Sequence, residues 1–228
     1  KKAGNVISYG AAGQLKNEHM VKRPVIVYNR DSQSEVLIDA IDLRNKLEEI
    51  ASAEYTKTGK YIRPIALFQA QPKGKEDATT FEKMRDKLVD AGIPAEQIAI
   101  RTADLNELNT TECMSVYFPF RYISTFNALK VVWDCPVAYI LASLANKTSQ
   151  VDVEQILGRI LRLPHTSQHT QSALNMSYVL TSSNDFNDTV QQIIRGLNSE
   201  GFTDRAYRLA EPIGPAKHAP APAPHQKF

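Results

Sequence analysis

Buried-strand and amphipathic-helix patterns alternate along most of the chain. Apolar runs at residues 24–28 (PVIVY) and 64–68 (PIALF) have the composition of strands that are buried on both faces. Between them, apolar residues from Val36 to Ala51 recur every three, four or seven positions among charged ones, which predicts an amphipathic helix that stops near Gly59. This alternation predicts an α/β fold with a mostly parallel central sheet and helices on both faces.

Further patterns of the same two kinds complete the predicted order of elements. They predict helices over residues 81–91, 151–163 and 185–200, and strands over residues 98–100, 121–126, 138–141 and 176–180. Residues 1–20 lack clear periodicity and are expected to be a lead-in segment, and residues 204–228 include a Pro/Ala tract typical of a tail or linker. We therefore expect one domain over residues 21–203, in a piece of a longer polypeptide.

Composition narrows the class of protein. The 27 Lys and Arg residues exceed the 25 Asp and Glu residues by two, which excludes a strongly basic DNA-coating protein. Two cysteines, Cys113 and Cys135, are too few for a disulfide framework or a four-thiolate zinc site, and His165 and His169 are a weak candidate metal pair. We therefore expect no metal site. No apolar run approaches the roughly 20 residues of a membrane helix, so we also expect a soluble, cytoplasmic protein with no membrane partner.

Residues 155–162 (QILGRILR) carry the strongest chemical signal. On a helix, Gln155, Arg159 and Arg162 lie at positions i, i+4 and i+7 and therefore share one face. Two guanidinium groups beside an amide suit a phosphate, and Gly158 allows a ligand to approach the helix closely. From spacing alone, the commoner interpretation is an amphipathic helix whose arginines form surface salt bridges.

The same segment resembles the sixth motif of superfamily 2 helicases, Gln-x-x-Gly-Arg-x-x-Arg. It is preceded by residues 125–141 (TFNALKVVWDCPVAYIL), which resemble the fifth motif of the Res subunits of type III restriction enzymes. Residues 63–73 resemble the fourth motif of that family, and residues 21–25 resemble the start of the domain. The resemblance covers residues 18–200 and implies the second RecA-like domain of an ATP-dependent DNA helicase or translocase.

The resemblance implies roles for individual residues at the nucleotide. Arg159 and Arg162 would reach the γ-phosphate of ATP, and Gln155 would lie near the phosphate or the attacking water. Asp134 and Gly158 would line the nucleotide side of the cleft. An arginine that enters only when the cleft closes stabilises charge that develops in the transition state, so these residues are expected to support turnover more than binding.

Other residues are implied to face DNA. Thr125, which ends a predicted strand, would bond a backbone phosphate, although it also fits an ordinary strand-end threonine. Gln69, Lys73 and Thr102 follow other strands and are further candidates, with Arg101 beside them. Such contacts position the backbone without reading its sequence.

The implied cofactor is ATP with Mg²⁺. The chain contains no Gly-x-x-x-x-Gly-Lys-Ser/Thr loop, so the phosphate cradle and the metal ligands are expected on a preceding RecA-like domain of the same polypeptide. Double-stranded DNA is the expected partner, together with a DNA-modifying methyltransferase subunit. The chain alone is then expected not to hydrolyse ATP.

One departure from the family leaves a second function open. Val131 and Val132 stand where the family usually has Glu-Gly before Trp133 and Asp134, and a β-branched residue resists backbone angles that glycine permits. The alternative is a degenerate RecA-like module that binds nucleic acid or protein without turnover. An unrelated small-molecule α/β enzyme is disfavoured because no glycine-rich turn follows the first strand.

Overall fold

A seven-stranded parallel sheet organises the part of the chain that the structure describes. The computed structural model describes residues 21–22, 24–69, 81–101, 113–125, 135–144, 160–182, 191, 195 and 207–209. The strands are β1 (Val25–Asn29), β2 (Ile65–Gln69), β3 (Ile98–Arg101), β4 (Tyr122–Thr125), β5 (Ala138–Ser143), β6 (Ser177–Thr181) and β7 (Tyr207–Leu209). Their order across the sheet is β3-β4-β2-β5-β6-β1-β7, and every pair is parallel.

The central strands are buried along their whole length. Every residue of β2, β4, β5 and β6 is buried, which is why these segments are apolar runs and do not alternate with polar residues. Large side chains in the core include Phe68, Tyr122 and Tyr139, each at most 1% exposed. The core is therefore centred on β4, β2, β5 and β6.

The long helix α1 (Gln33–Thr58) begins and ends where local chemistry sets its limits. Ser32 is the N-cap residue, and its side chain accepts a hydrogen bond from the amide of Glu35 at 3.2 Å. At the other end Gly59 has φ of 71° and its amide bonds the carbonyl oxygen of Tyr55 at 2.8 Å, the left-handed conformation that glycine adopts without strain. The predicted helix and its stop at Gly59 are confirmed.

The helices cover the sheet in the way that parallel strands require. Helix α1 packs against β2, β5 and β6, and α2 (Phe81–Asp90) packs against β3 and β4. Both helices belong to connections that run in one direction across the sheet, so right-handed crossovers place them on the same face. The predicted α/β fold class is confirmed.

Two features differ from the predicted elements. The helix predicted over residues 151–163 ends earlier, because Ile160 is helical but Leu161 lies in a turn and Arg162 forms an isolated antiparallel bridge with Val21. Pro164 explains this, since the residue before a proline is pushed towards extended backbone, and Leu163 has φ of −81° and ψ of 131°. The sheet also includes β7, which lies beyond the predicted domain boundary at residue 203 and pairs with β1.

Candidate functional site

Polar residues end neighbouring strands at the carboxyl edge of the sheet. The strand register places Thr125 of β4, Gln69 of β2, Ser143 of β5, Thr181 of β6 and Asn29 of β1 side by side. We call these five residues the carboxyl row. Open parallel sheets bind their ligands at this edge, because the turns that follow the strands converge there. The row is the first candidate binding surface.

Hydrogen bonds fix the middle of the carboxyl row. The Ser143 hydroxyl donates to Oε1 of Gln69 at 3.2 Å, and the amide of Leu144 donates to the carbonyl oxygen of Gln69 at 3.1 Å. Gln69 is 3% exposed and Thr125 is 8% exposed, so both lie just beneath the surface of this edge. The Thr181 hydroxyl is buried and has no hydrogen-bond partner among the described residues. The row is thus a packed polar layer and not a set of loose surface groups.

The structure brings together two of the four residues implied to face DNA. Thr125 and Gln69 are direct neighbours in the register of β4 and β2. Arg101, whose backbone ends β3, is the next position along from Thr125. Lys73 and Thr102 lie outside the described residues. Gln69 belongs to β2 itself, one residue beyond the predicted end of that strand.

Three segments meet at the opposite, amino edge of the sheet. Residues 21–22 lead towards β1, residues 135–138 run into β5, and residues 160–163 lie next to the start of β6. The Lys22 amide donates to the carbonyl oxygen of Leu161, and Val21 bridges Arg162. The Ser177 hydroxyl bonds the carbonyl oxygen of Ile160 at 2.9 Å and so holds this segment against β6. We call the three segments the amino junction.

Lys22 stands at the centre of the amino junction. Its ammonium nitrogen donates to the carbonyl oxygens of Pro136 at 2.8 Å and Ala138 at 2.6 Å, and it lies 4.0 Å from the ring centroid of Tyr139. The residue is completely buried. Burial lowers the pKa of Lys22 to about 7, and the nearby thiols of Cys135 and Cys113 offset only part of that shift. The two carbonyl bonds and the ring contact hold the buried amine in the junction.

The amino junction contains Arg162, one of the residues implied to be catalytic. It also adjoins Asp134, which is implied to line the nucleotide cleft. Arg162 is exposed there, one residue beyond the buried Leu161. Asp134 immediately precedes Cys135, but it lies outside the described residues, as do Gln155, Gly158 and Arg159. Because Arg162 is not helical, it cannot share a helical face with Gln155 as the spacing predicts. Residues 135–138, within the fifth-motif segment, and the end of the sixth-motif segment nevertheless converge on residues 21–22.

Cys135 behaves as a buried apolar side chain. It is fully buried, and burial together with a hydrogen bond to Cys113 raises the pKa of its thiol well above the ordinary value. A protonated thiol is a poor nucleophile. The prediction that Cys135 is a small buried residue and not a nucleophile agrees with this environment.

The turn after β1 is already occupied by its own side chains. Glu35, in the first turn of α1, accepts a hydrogen bond from the amide of Asp31 at 3.1 Å, while Arg30 pairs with Asp39. A carboxylate at a helix N-terminus satisfies amides that a phosphate would otherwise use. This arrangement disfavours a small-molecule phosphate site at the first turn.

The two histidines of the weak metal pair have separate environments. His169 is buried with Nδ1 3.8 Å from Oε1 of Glu54, and burial lowers its pKa. His165 is exposed, and its Nε2 lies 2.9 Å from the carbonyl oxygen of Tyr61. Within the described ranges, no three His, Cys, Asp or Glu side chains form a group that could hold a metal ion.

Two features of these sites were not recognisable from the sequence pattern. Ser143 and Thr181 are the last residues of β5 and β6, but the predicted strands ended before them. The signal that could have found them, as for Gln69, is a polar residue directly at the end of an apolar run. Lys22 lies in residues 21–25, which resemble the start of the domain, but nothing in the sequence indicated its burial, because a single lysine before a strand is ordinarily a solvated side chain. Within the described residues, no helix is both long and apolar enough to cross a membrane.

Comparison with known proteins supports the fold. No protein-family model and no curated protein matches the chain. Over 90% of its length the chain aligns, at 14% identity and a TM-score of 0.50, with a fragment from Vibrio vulnificus YJ016 described as an HsdR subunit of a type I restriction enzyme. It spans 39% of that fragment. At this identity the likeness concerns the fold alone.

Two further structures align at lower TM-scores. The ATP-dependent Type ISP restriction-modification enzyme LlaBIII, bound to DNA, gives 0.48 at 16% identity, over 88% of this chain and 16% of that one. The C-terminal domain of S. cerevisiae Dbp5, bound to Gle1, gives 0.41 at 11% identity, over 83% of this chain and 90% of that one. The strand order, the parallel register and the HsdR alignment define the class: the chain has a RecA-like α/β fold.

Proposed function

We propose that the chain is the second RecA-like domain of an ATP-dependent DNA helicase or translocase of the restriction-enzyme type. The observation that carries the proposal is the amino junction. There, the segment ending in Arg162 and the segment beginning at Cys135 both contact residues 21–22. Arg162 ends the segment that resembles the sixth helicase motif, and Cys135 lies within the segment that resembles the fifth. A guanidinium exposed at such a junction suits the terminal phosphate of a nucleotide held by a facing domain.

The finer assignment to the Res subunit type rests on sequence resemblance. Residues 125–141 and 155–162 carry it, in the order that the family has them. In this proposal the preceding domain holds ATP with Mg²⁺, and Arg159, Arg162 and Gln155 complete the site when the two domains close. A methyltransferase subunit would act as the partner in modification.

The carboxyl row is proposed as the surface that faces the DNA backbone. Hydroxyl and amide groups bond phosphate oxygens without reading bases, and the net charge of only +2 allows few ionic contacts. Binding by the chain should therefore be weak, independent of sequence, and weaker still as salt rises.

Paired substitutions in β4 test the role of the carboxyl row. Thr125→Val removes the hydroxyl at the edge and keeps the shape of the side chain, so it should weaken duplex binding. Ser124→Ala is the matched control, since Ser124 is fully buried one residue earlier and its side chain points to the other face of the sheet. Fluorescence anisotropy with unrelated duplexes at two salt concentrations measures both variants. Equal affinity in the two variants, or strong preference for one duplex, would contradict this surface.

The second candidate function is a binding module without turnover. The substitution of Val131 and Val132 for Glu-Gly favours it. A module that binds nucleic acid or protein is compatible with DNA binding, so DNA-dependent ATP hydrolysis by the full-length protein is the measurement that separates the two functions.

A further inference from the structure

We propose that Lys22 is a positioning residue that couples residues 21–22 to the other two segments of the amino junction, residues 135–138 and 160–163. Residues 21–22 and Arg162 then move together. The inference rests on the proposed function, because it assigns the coupling to the nucleotide site. It goes further in naming a residue that lies outside the segments resembling the fourth, fifth and sixth motifs and that has no assigned contact with substrate.

Lys22 joins the three segments of the amino junction. Its side chain bonds the carbonyl oxygens of Pro136 and Ala138, while its backbone amide bonds the carbonyl oxygen of Leu161. Val21 adds the bridge to Arg162. One residue thus connects the segment before β1 to the segment before β5 and to the segment that ends in the exposed arginine.

These bonds cannot shift without penalty. The Lys22 side chain is completely buried, so water cannot replace a lost carbonyl partner. The ammonium group also lies over the Tyr139 ring, 4.0 Å from its centroid. A displacement of residues 21–22 must therefore either break these bonds or carry residues 135–138 and 160–163 with it.

A lysine is not needed merely to fill the space that Lys22 occupies. An apolar side chain of similar volume would fill the same space without the cost of burying an amine. Lysine adds two directed hydrogen bonds that converge on one loop, and those bonds transmit the position of the leading segment. The matched comparison is the Tyr139 hydroxyl, which bonds the Leu174 carbonyl oxygen at 3.1 Å, because Tyr139→Phe removes only this bond and keeps the ring that Lys22 contacts.

The first test measures hydrogen exchange in the full chain. Lys22→Met keeps the length of the side chain and removes both side-chain donors. We expect amides in residues 135–138 to exchange about 10- to 30-fold faster, the loss that two buried hydrogen bonds imply. Amides in residues 160–163 should also exchange faster, because residues 21–22 still bond Leu161 through the Lys22 backbone amide but lose their anchor to residues 135–138. Tyr139→Phe, which removes one buried hydrogen bond elsewhere, should leave both segments unchanged. If Lys22→Met does not fold, Lys22→Gln keeps a donor nitrogen on a shorter side chain and should give a smaller increase in the same two segments.

The second test measures turnover in the full-length protein with duplex DNA. Lys22→Met should lower kcat for ATP hydrolysis and leave KM close to the wild-type value, while Tyr139→Phe should change neither. Combined with Arg162→Ala, the Lys22→Met substitution should have little further effect, because the two residues act as a unit.

The outcomes separate the coupling from the proposed function. Faster exchange in only one segment, or in neither, overturns the coupling. Faster exchange with an unchanged kcat also overturns it, provided that Arg162→Ala abolishes turnover in the same assay. If Arg162→Ala leaves turnover intact, the proposed function fails and the role assigned to Lys22 fails with it.

Discussion

Replacing Lys22 by methionine should remove a component of the pH dependence of stability that burial of the amine creates. The amine is fully buried, and its pKa is lowered from 10.5 to about 7. The unfolded chain keeps its proton over this range while the folded chain loses it, so the unfolded state binds more protons. Stability contributed by Lys22 therefore rises with pH between the two values.

The size of the effect follows from the shift. Each pH unit over which only the unfolded state holds the proton is worth about 1.4 kcal/mol, and the folded amine is half-titrated near pH 7. From about pH 7 to about pH 8.5 the wild type should thus gain about 2 kcal/mol relative to Lys22→Met. Higher pH is less useful, because the raised pKa of Cys135 and of Tyr139 acts in the opposite direction there.

Urea unfolding of both proteins at several pH values in this range measures the difference. Subtracting the two curves cancels the titrating groups that Lys22 does not influence. The part of the difference that is constant with pH reports the lost hydrogen bonds, and the part that changes with pH reports the titration of Lys22. A constant difference across the range would refute the reasoning, since it would mean that Lys22 is protonated equally in both states. A difference that falls with pH would refute it as well.

Two other substitutions test the packing around α1. Gly59→Ala should destabilise the fold by about 1 to 2 kcal/mol in thermal or urea unfolding, because φ of 71° penalises a Cβ although nothing lies within 4 Å of one; no loss would contradict the left-handed cap. For Glu54, burial raises the pKa, but hydrogen bonds from Thr170 and Gln171 outweigh it and the net pKa is lowered. Glu54→Gln should therefore cost about 1.5 to 3 kcal/mol at neutral pH and less as the pH falls below 4.5, and a cost that does not change with pH would contradict this account.

The sequence predicts those strands and helices whose limits are set by residues within the element or directly beside it. Helix α1 and strands β1 to β6 follow from apolar runs, a serine cap and Gly59, all of which act within a few residues. The early end of the helix before Arg162 was also written in the sequence, since Pro164 gives the signal, but helical spacing of the arginines outweighed it in the prediction.

Contacts between distant segments could not be predicted in this way. Strand β7 has three residues, and its partner β1 lies about 180 positions earlier, so nothing near residue 207 indicates pairing. The carboxyl row needs the strand order, which alternation alone does not define. The burial of Lys22 depends on residues more than 110 positions away, at Pro136 and Ala138.

The central claim is that Arg162 serves ATP hydrolysis, and the most direct measurement is DNA-dependent ATPase activity of the full-length protein carrying Arg162→Ala. The control is Arg121→Ala, which removes a guanidinium whose ion pair with Glu48 at 3.5 Å should be worth about 0 to 1 kcal/mol. Thermal melts should show that both variants remain folded. The account predicts that Arg162→Ala lowers kcat by about 10³- to 10⁵-fold, that Arg162→Lys does not restore it, and that Arg121→Ala retains near-normal turnover. Near-normal ATPase activity in Arg162→Ala would contradict the account and leave Arg162 as an ordinary surface arginine.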